Sequence, residues 1–279
     1  MRRLLPLFCL LPWAILSLGQ PAVPIPDLLP SAQPQELVQR ALAAELHAIQ
    51  DTSHPMRYLL RKTSPRLTTT KDILETGDGA VARLLMVGDK PLTPVQEQEE
   101  QTRLNGLLRD PNRQNHRKQA EDQDTERALK VLRALPAAFL YQYAGSAGTP
   151  AGTVEKFTFR PNPTFNPPDL ETQILTAMSG EIWIDADRQR VVRLEGHLLR
   201  DVDFGWGILG RLDKGGWIVI EQADVGGDQW RTVRFQMSMS GRVLFKTRVF
   251  DTEEEESRFS PLPTGLDYRQ AIQMLRSDP

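Results

Sequence analysis

The sequence predicts an α+β fold: one large twisted antiparallel sheet with helices gathered on one side. Three observations predict it. The C-terminal part carries successive apolar, partly alternating segments separated by very short breaks, and short connections force neighbouring strands to pair antiparallel. A segment with helical spacing of apolar residues precedes the first strands. A long stretch of mixed charge from Pro91 to Leu135, poor in strand-forming residues, separates the two groups of strands and reads as helix.

Taken in order, the chain opens on Arg2 and Arg3, followed by an almost wholly apolar run from Leu4 to Leu18. Ser17, Leu18 and Gly19 then place small residues where a signal peptidase would cut. Charged, apolar and small segments in that order are the signature of a secretory leader. The run is shorter than the ~20 apolar residues of a membrane span, and Pro6 and Pro12 interrupt it. Residues 1–19 are therefore expected to be a signal peptide and the protein to be exported. In a bacterium with two membranes this means the periplasm. Cys9 is the one cysteine, and it lies inside the leader after Leu7 and Phe8 rather than after small residues, which argues against lipidation there. The mature chain would have neither disulfide nor thiolate chemistry. Loss of Arg2 and Arg3 leaves 32 basic against 36 acidic residues, a net charge of −4. No basic run marks a nucleic-acid surface. A mean hydropathy of −0.39 excludes a polytopic membrane protein.

Five prolines (Pro21, Pro24, Pro26, Pro30 and Pro34) make residues 20–34 an extended linker. Residues 35–279 are then expected to form a single α+β domain. Its first helix runs to Gln50 with Leu37, Val38, Ala41, Leu42, Leu46 and Ile49 on one face, and His54-Pro55 closes it. Met56–Thr63, Leu67–Glu75 and Ala80–Val87 read as a meander turning at Gly77, Asp78 and Gly79. In the insertion, residues 91–136, Thr93 to Arg133 holds eight acidic and eight basic residues, as a solvated helical face does. Thr93 is suited to cap its first helix, with Pro94 at the first position. Asn105-Gly106 and Asp110-Pro111 are its strong breaks, and Ala128, Leu129, Val131, Leu132 and Leu135 must dock on something.

Phe139–Ala144 and Val154–Arg160 read as strands around a Gly/Ala/Thr/Pro loop, and Asp169–Met178 as one short helix. The clearest strands follow: Gly180–Asp185, Val191–Phe204, Gly216–Asp224, Trp230–Met239 and Val243–Asp251. Turns are expected at Asp185–Gln189, Gly226–Asp228 and Ser240–Gly241.

Gly180 to Asp185 (Gly-Glu-Ile-Trp-Ile-Asp), a short turn, and Arg190 to Gly196 (Arg-Val-Val-Arg-Leu-Glu-Gly) resemble a hairpin of bacterial outer-membrane lipoprotein carriers and insertases, and of the related periplasmic sensors of sigma-factor control. The resemblance implies a half-open β-barrel: a curved antiparallel sheet, closed by helices, whose concave face takes up acyl chains. It covers this hairpin and the order of elements. The charged insertion and the tail from Arg258 to Pro279 depart from it, and it transfers no binding residue.

Candidate chemistry is sparse. Residues 205–210 spell G-x-G-x-x-G after a strand, but only four residues follow before Gly215-Gly216, so no helix can offer amides to a phosphate and no dinucleotide cofactor is implied. This loop reads instead as an apolar connection. Phe204, Trp206, Ile208, Leu209 and Trp217 are candidate ligand- or membrane-contact residues, with core packing as their plainer role. His47, His54, His116 and His197 lack metal-ligand spacing, so no metal is expected. Asp185 and Asp187 read as turn residues. Glu253 to Glu256 reads as a charge run protecting a strand end from edge pairing. No G-x-S-x-G nucleophile elbow occurs, and Gly145-Ser146 has no histidine near it in sequence.

The expected function is a non-enzymatic cell-envelope protein that shelters an apolar ligand, such as an acyl chain, lipid or lipoprotein, in a concave sheet. Two alternatives are an envelope interaction or regulatory protein working through the charged insertion, and an exported hydrolase without a recognisable motif.

Overall fold

The computed structural model describes residues 32–149, 152–204, 210–243 and 246–277. The expected leader and most of the proline-rich linker lie outside the described residues. Helix α1 (Ala32–Gln50) leads into β1 (Met56–Thr63), β2 (Thr68–Leu74), β3 (Val81–Val87) and the two-residue β4 (Lys90–Pro91). Helices α2 (Pro94–Arg109) and α3 (Pro111–Ala138) follow, then β5 (Phe139–Thr149), β6 (Gly152–Pro161), the single turn α4 (Leu170–Gln173) and a 3-10 turn (Ile174–Ala177). The remaining elements are β7 (Met178–Asp185), β8 (Arg190–Leu198), β9 (Val202–Phe204), β10 (Gly210–Leu212), β11 (Trp217–Asp224), β12 (Trp230–Val243), β13 (Lys246–Pro261) and α5 (Tyr268–Ser277). The fold is α+β, as expected.

All thirteen strands belong to one sheet, in the order β4-β3-β2-β1-β13-β12-β11-β8-β7-β6-β5, with β9 and β10 attached beside β12. Every pairing is antiparallel. The sheet does not close. The N-terminal meander joins the C-terminal one through β1 and β13, so residues about 200 positions apart in sequence lie side by side.

Helix α3 links the two margins of this sheet. Near its start the Gln114 amide donates to Asp78 O at 2.9 Å, beside the β2–β3 turn, and its last residue is followed by Phe139 of the edge strand β5. From Gln114 to Ala138 the helix spans about 36 Å at 1.5 Å per residue. The nine strand spacings from β3 to β5 measure about 43 Å along the sheet. The helix is therefore a chord across a curved sheet. Helix α1 lies beneath it and touches both β5 and β8.

Two cores result. The larger joins Leu37, Val38, Ala41 and Leu42 of α1 and Leu135 and Ala138 of α3 to Phe157, Ile182 and Val191 of the sheet. The smaller joins Leu74 and Val81 to Leu104 and Leu107 of α2 and to Ala271, Ile272 and Leu275 of α5. Helix α2 also satisfies the backbone of β3 on its nearly free side: Glu100 accepts from Leu84 N at 2.8 Å, and Arg103 donates to Ala82 O. That covers an edge that would otherwise invite pairing.

Several local expectations are met and several are corrected. Thr93 caps α2 in a reciprocal capping box with Gln96, and Pro94 opens the helix. Asp110-Pro111 breaks the insertion, whereas Asn105-Gly106 stays inside α2. The stretch expected to form a loop after Ala144 is mostly strand, with a register shift at Gly145 (φ 107°) keeping β5 and β6 paired to Thr149 and Gly152. Residues 191–204 are two strands rather than one, because Leu198 ends its pairing with β7 and β9 turns to pair with β10. Asp169–Met178 is an α-turn followed by a 3-10 turn, not one helix. Ser240–Gly241 is not a turn but lies inside β12. A Cβ at Gly241 would stand 2.3 Å from Arg211 O, so the glycine serves the close approach of β10. Glu253 to Glu256 does not guard an edge, since β1 and β12 flank it on both sides.

Candidate functional site

Register separates the two faces of the sheet, because residues directly opposed in an antiparallel pair share a face. One row runs Lys156–Trp183–Arg193–Glu221–Arg234–Glu255–Arg61 across seven strands. The Lys156 ammonium sits 3.8 Å from the centre of the Trp183 ring, Arg193 pairs with Glu221, and Arg61 reaches Glu255 at 3.4 Å. This is the outer, polar face. Shifted by one residue, another row runs Tyr143–Phe157–Ile182–Leu194–Ile220–Phe235–Glu254–Lys62. Phe157 and Ile182 are fully buried under α1 and α3, so this is the inner face. A parallel inner row is Tyr141–Phe159–Gly180–Gly196–Ile218–Met237–Thr252. A Cβ at Gly180 would stand 1.8 Å from Glu195 O, so glycine is required for the close approach of β7 and β8 there.

The inner face changes character along its rows. From β5 to β8 it is core. Leu194, Ile218 and Met237 are half-buried against the margin of that core. Ile220, Phe235 and Leu60 are half-buried and belong to neither core. Ile220 and Phe235 are directly opposed and form an apolar strip over β11 and β12, beside the helix-covered end, whereas the next strand, β13, turns Glu254 and Glu256 inward and Leu60 of β1 lies beyond it at the charged end.

At the charged end, Lys62 binds Glu254 at 2.6 Å. Glu75 accepts from Met56 N at 2.9 Å and lies 3.6 Å from Arg231, which itself donates to His54 O at 2.7 Å. A cavity of about 490 Å³ opens beside them, lined by Ile49, His54, Glu75, Lys118, Glu121 and Arg231 among others. Leu60 stands directly between Lys71 of β2 and Glu256 of β13. Among the described residues, neither Lys71 nor Glu256 has a side-chain hydrogen bond or ion pair. Burial, then Glu254 and Glu75, push the Glu256 carboxyl up to about 7, against the opposing pull of Arg231. Burial and the neighbouring cations Arg103, Lys62 and Arg117 lower the Lys71 ammonium. Burial raises the Tyr58 hydroxyl, reinforced by Glu256 and Glu75.

This sets a pH signature. A carboxyl whose pKa is raised on folding holds its proton more tightly in the folded chain, so its burden on stability is absent below its ordinary 4.5 and grows as pH rises toward 7. Glu256→Gln is expected to leave the melting temperature unchanged at pH 4.5 and to stabilise by about 1–3 kcal/mol at pH 8. Thermal melts of both proteins at the two pH values check this.

The residues singled out in the sequence are placed apart. Phe204 ends β9 and packs on the larger core. Trp206, Ile208 and Leu209 lie outside the described residues. Gly210 begins a strand, so no helix starts there. Trp217 opposes His197 and Ser238, one position out of phase with the inner-facing Ile218, and therefore stands on the outer face. Phe204 and Trp217 do not share a surface. The strip residues Ile220 and Phe235 are not among those singled out, although the alternation of Phe235 with Arg234 and Gln236 is a legible signal for one of the two. Asp185 caps its turn by accepting from Arg188 N at 2.9 Å. Among the described residues, no group of three histidine, cysteine, aspartate or glutamate side chains could hold a metal. No helix among them is long and apolar enough to cross a membrane.

No family model matches the sequence, and no curated protein matches it. A crystal structure described as an outer membrane lipoprotein-sorting protein domain from Vibrio parahaemolyticus aligns with 88% of this chain and 99% of its own, at 10% identity and a TM-score of 0.33. At that score the likeness is too loose to carry function from one chain to the other.

Proposed function

We propose that this is an exported, non-enzymatic cell-envelope protein that binds an apolar chain, from a lipid or a lipoprotein, on the inner face of its sheet. The observation that carries this reading is the strip of Ile220 and Phe235, which extends the apolar inner face beyond the margin of the larger core and, among the described residues, belongs to neither core. Apolar surface on a curved inner face gains about 25 cal/mol for each Å² a ligand removes from water. A flexible acyl chain can follow such a strip and end against the larger core at Ile218 and Met237. The leader-like N-terminus supports the envelope setting.

Native mass spectrometry of protein isolated from its own cells without detergent tests the reading. The expected result is a stoichiometric added mass that solvent extraction removes and that Phe235→Asp protein lacks. Protein that stays free of added mass, even after incubation with envelope lipids, would overturn it.

A further inference from the structure

We propose that Lys71 and Glu256 form a head-group site at the end of the apolar strip, and that it selects a zwitterionic amphiphile, with the ligand's ammonium at Glu256 and its phosphate at Lys71. This rests on the inner face binding an apolar chain.

The argument begins with register. Lys71, Leu60 and Glu256 are consecutive members of one cross-strand row, so their side chains share the inner face, with the apolar Leu60 between the two charges and Glu256 on the strand next to the strip. The backbones of β2 and β13 lie two strand spacings apart, about 10 Å. Long side chains leaning inward from those positions can hold opposite ends of one small polar group.

The nearby charges are already engaged. Glu254 is neutralised by Lys62, and Glu75 by Met56 N and Arg231. Lys71 and Glu256 differ from them in having no partner among the described residues. Both occupy surroundings that disfavour their charged forms: burial acts on each, with carboxylates around Glu256 and cations around Lys71. The local field is thus split. The β13 side carries one unpaired carboxylate, Glu256, beside the already paired Glu254 and Glu75. The β2 side carries one unpaired ammonium, Lys71, beside Arg117 and the Arg103–Glu100 ion pair. A purely anionic head meets a favourable partner at Lys71 alone and repulsion at Glu256, and a purely cationic head meets the reverse. A head carrying both charges answers both, and an unpaired charge in a partly desolvated site gains most from such a partner.

Isothermal titration of the full chain at pH 8 tests this with three probes sharing one acyl or alkyl chain and kept below their micelle concentrations. They are a lysophosphatidylethanolamine, a lysophosphatidylglycerol and an alkyltrimethylammonium. The wild-type protein is expected to bind the ethanolamine lipid at least tenfold more tightly than the glycerol lipid. Glu256→Gln should bring the two within threefold by weakening the ethanolamine lipid. Lys71→Gln should weaken both phosphate lipids and spare the alkylammonium. Circular dichroism of each variant confirms that it is folded. Equal affinity of the wild-type protein for both phosphate lipids, or a preference that survives Glu256→Gln, overturns the head-group site while leaving chain binding intact. Failure to bind any of the three overturns chain binding and the head-group site together.

Discussion

Glu45→Ala is expected to destabilise the protein by about 3–5 kcal/mol, the cost of breaking a buried ion pair by removing one partner. Glu45 lies on α1 and is 5% exposed. Its carboxylate accepts from Arg190 Nε at 2.9 Å, from Arg190 Nη2 at 3.0 Å and from Val191 N at 3.0 Å. The Arg190 guanidinium also lies 5.5 Å from the Trp230 ring. One side chain therefore fixes the helix to the end of β8, where a register shift in the β7–β8 pair leaves the strand in need of a partner. Alanine would leave a buried guanidinium unpaired and a buried amide unsatisfied. For a chain of this size the loss corresponds to a melting temperature lower by about 6–20 °C. Glu45→Gln keeps an acceptor for Val191 and should cost less than alanine. A melting temperature within 2 °C of wild type for Glu45→Ala would show that α1 is held by its apolar face alone.

That anchor shows where sequence reading stops. The apolar stripe of α1 is legible, and the structure buries Leu37, Val38, Ala41 and Leu42 as the spacing requires. The stripe then fails. Leu46 is half-buried and Ile49 is 43% exposed, because the C-terminal half of the helix leaves the core and borders the cavity beside Glu75. Glu45 falls on the apolar stripe itself, four residues after Ala41 and three after Leu42, but its partner lies 145 residues away, a separation that no local pattern encodes. The strands were legible where the period of two is strong, as at Arg234, Phe235 and Gln236, whereas their ends were not. Glycine was the ambiguous signal. Gly77 and Gly79 mark a true turn, while Gly241 and Gly180 admit a neighbouring backbone inside a strand. The acidic run of β13 is illegible in sequence for a related reason. Its alternate members face opposite sides, Glu255 with the outer ladder and Glu254 and Glu256 with the inner face, and only the register reveals that the run is two half-rows. The inner strip was hidden in the same way. Ile220 and Phe235 come from two strands, and each looks like an ordinary core residue in its own strand.

Phe157 and Phe235 offer the comparison that decides whether the strip is a binding surface or simply more core. Both belong to one inner row, with three residues between them. Phe157 is 0% exposed and packs edge-on to Tyr143 at 5.6 Å between ring centres, beneath α1 and α3. Its replacement by alanine removes a fully enclosed ring and leaves a cavity that close-packed neighbours cannot fill, at a cost of about 3–5 kcal/mol. Phe235 is half-buried and, among the described residues, belongs to neither core, so Phe235→Ala is expected to leave a depression that water can enter rather than a sealed cavity. Its expected cost is about 1 kcal/mol. The order should reverse for binding. Phe235→Ala should weaken a fluorescent acyl probe about tenfold, the equivalent of about 1.4 kcal/mol. A hydrophobic substitution deep in the core, such as the milder Ile182→Val, should leave the probe's affinity within twofold. Urea unfolding and probe titration on the same preparations measure both quantities. Equal stability losses for the two phenylalanine variants would mean that Phe235 is sealed in the folded chain, and the inner face would then have no room for a ligand. A small loss for Phe235 coupled to a large fall in probe affinity is what separates a surface held open for a ligand from a core that ends untidily.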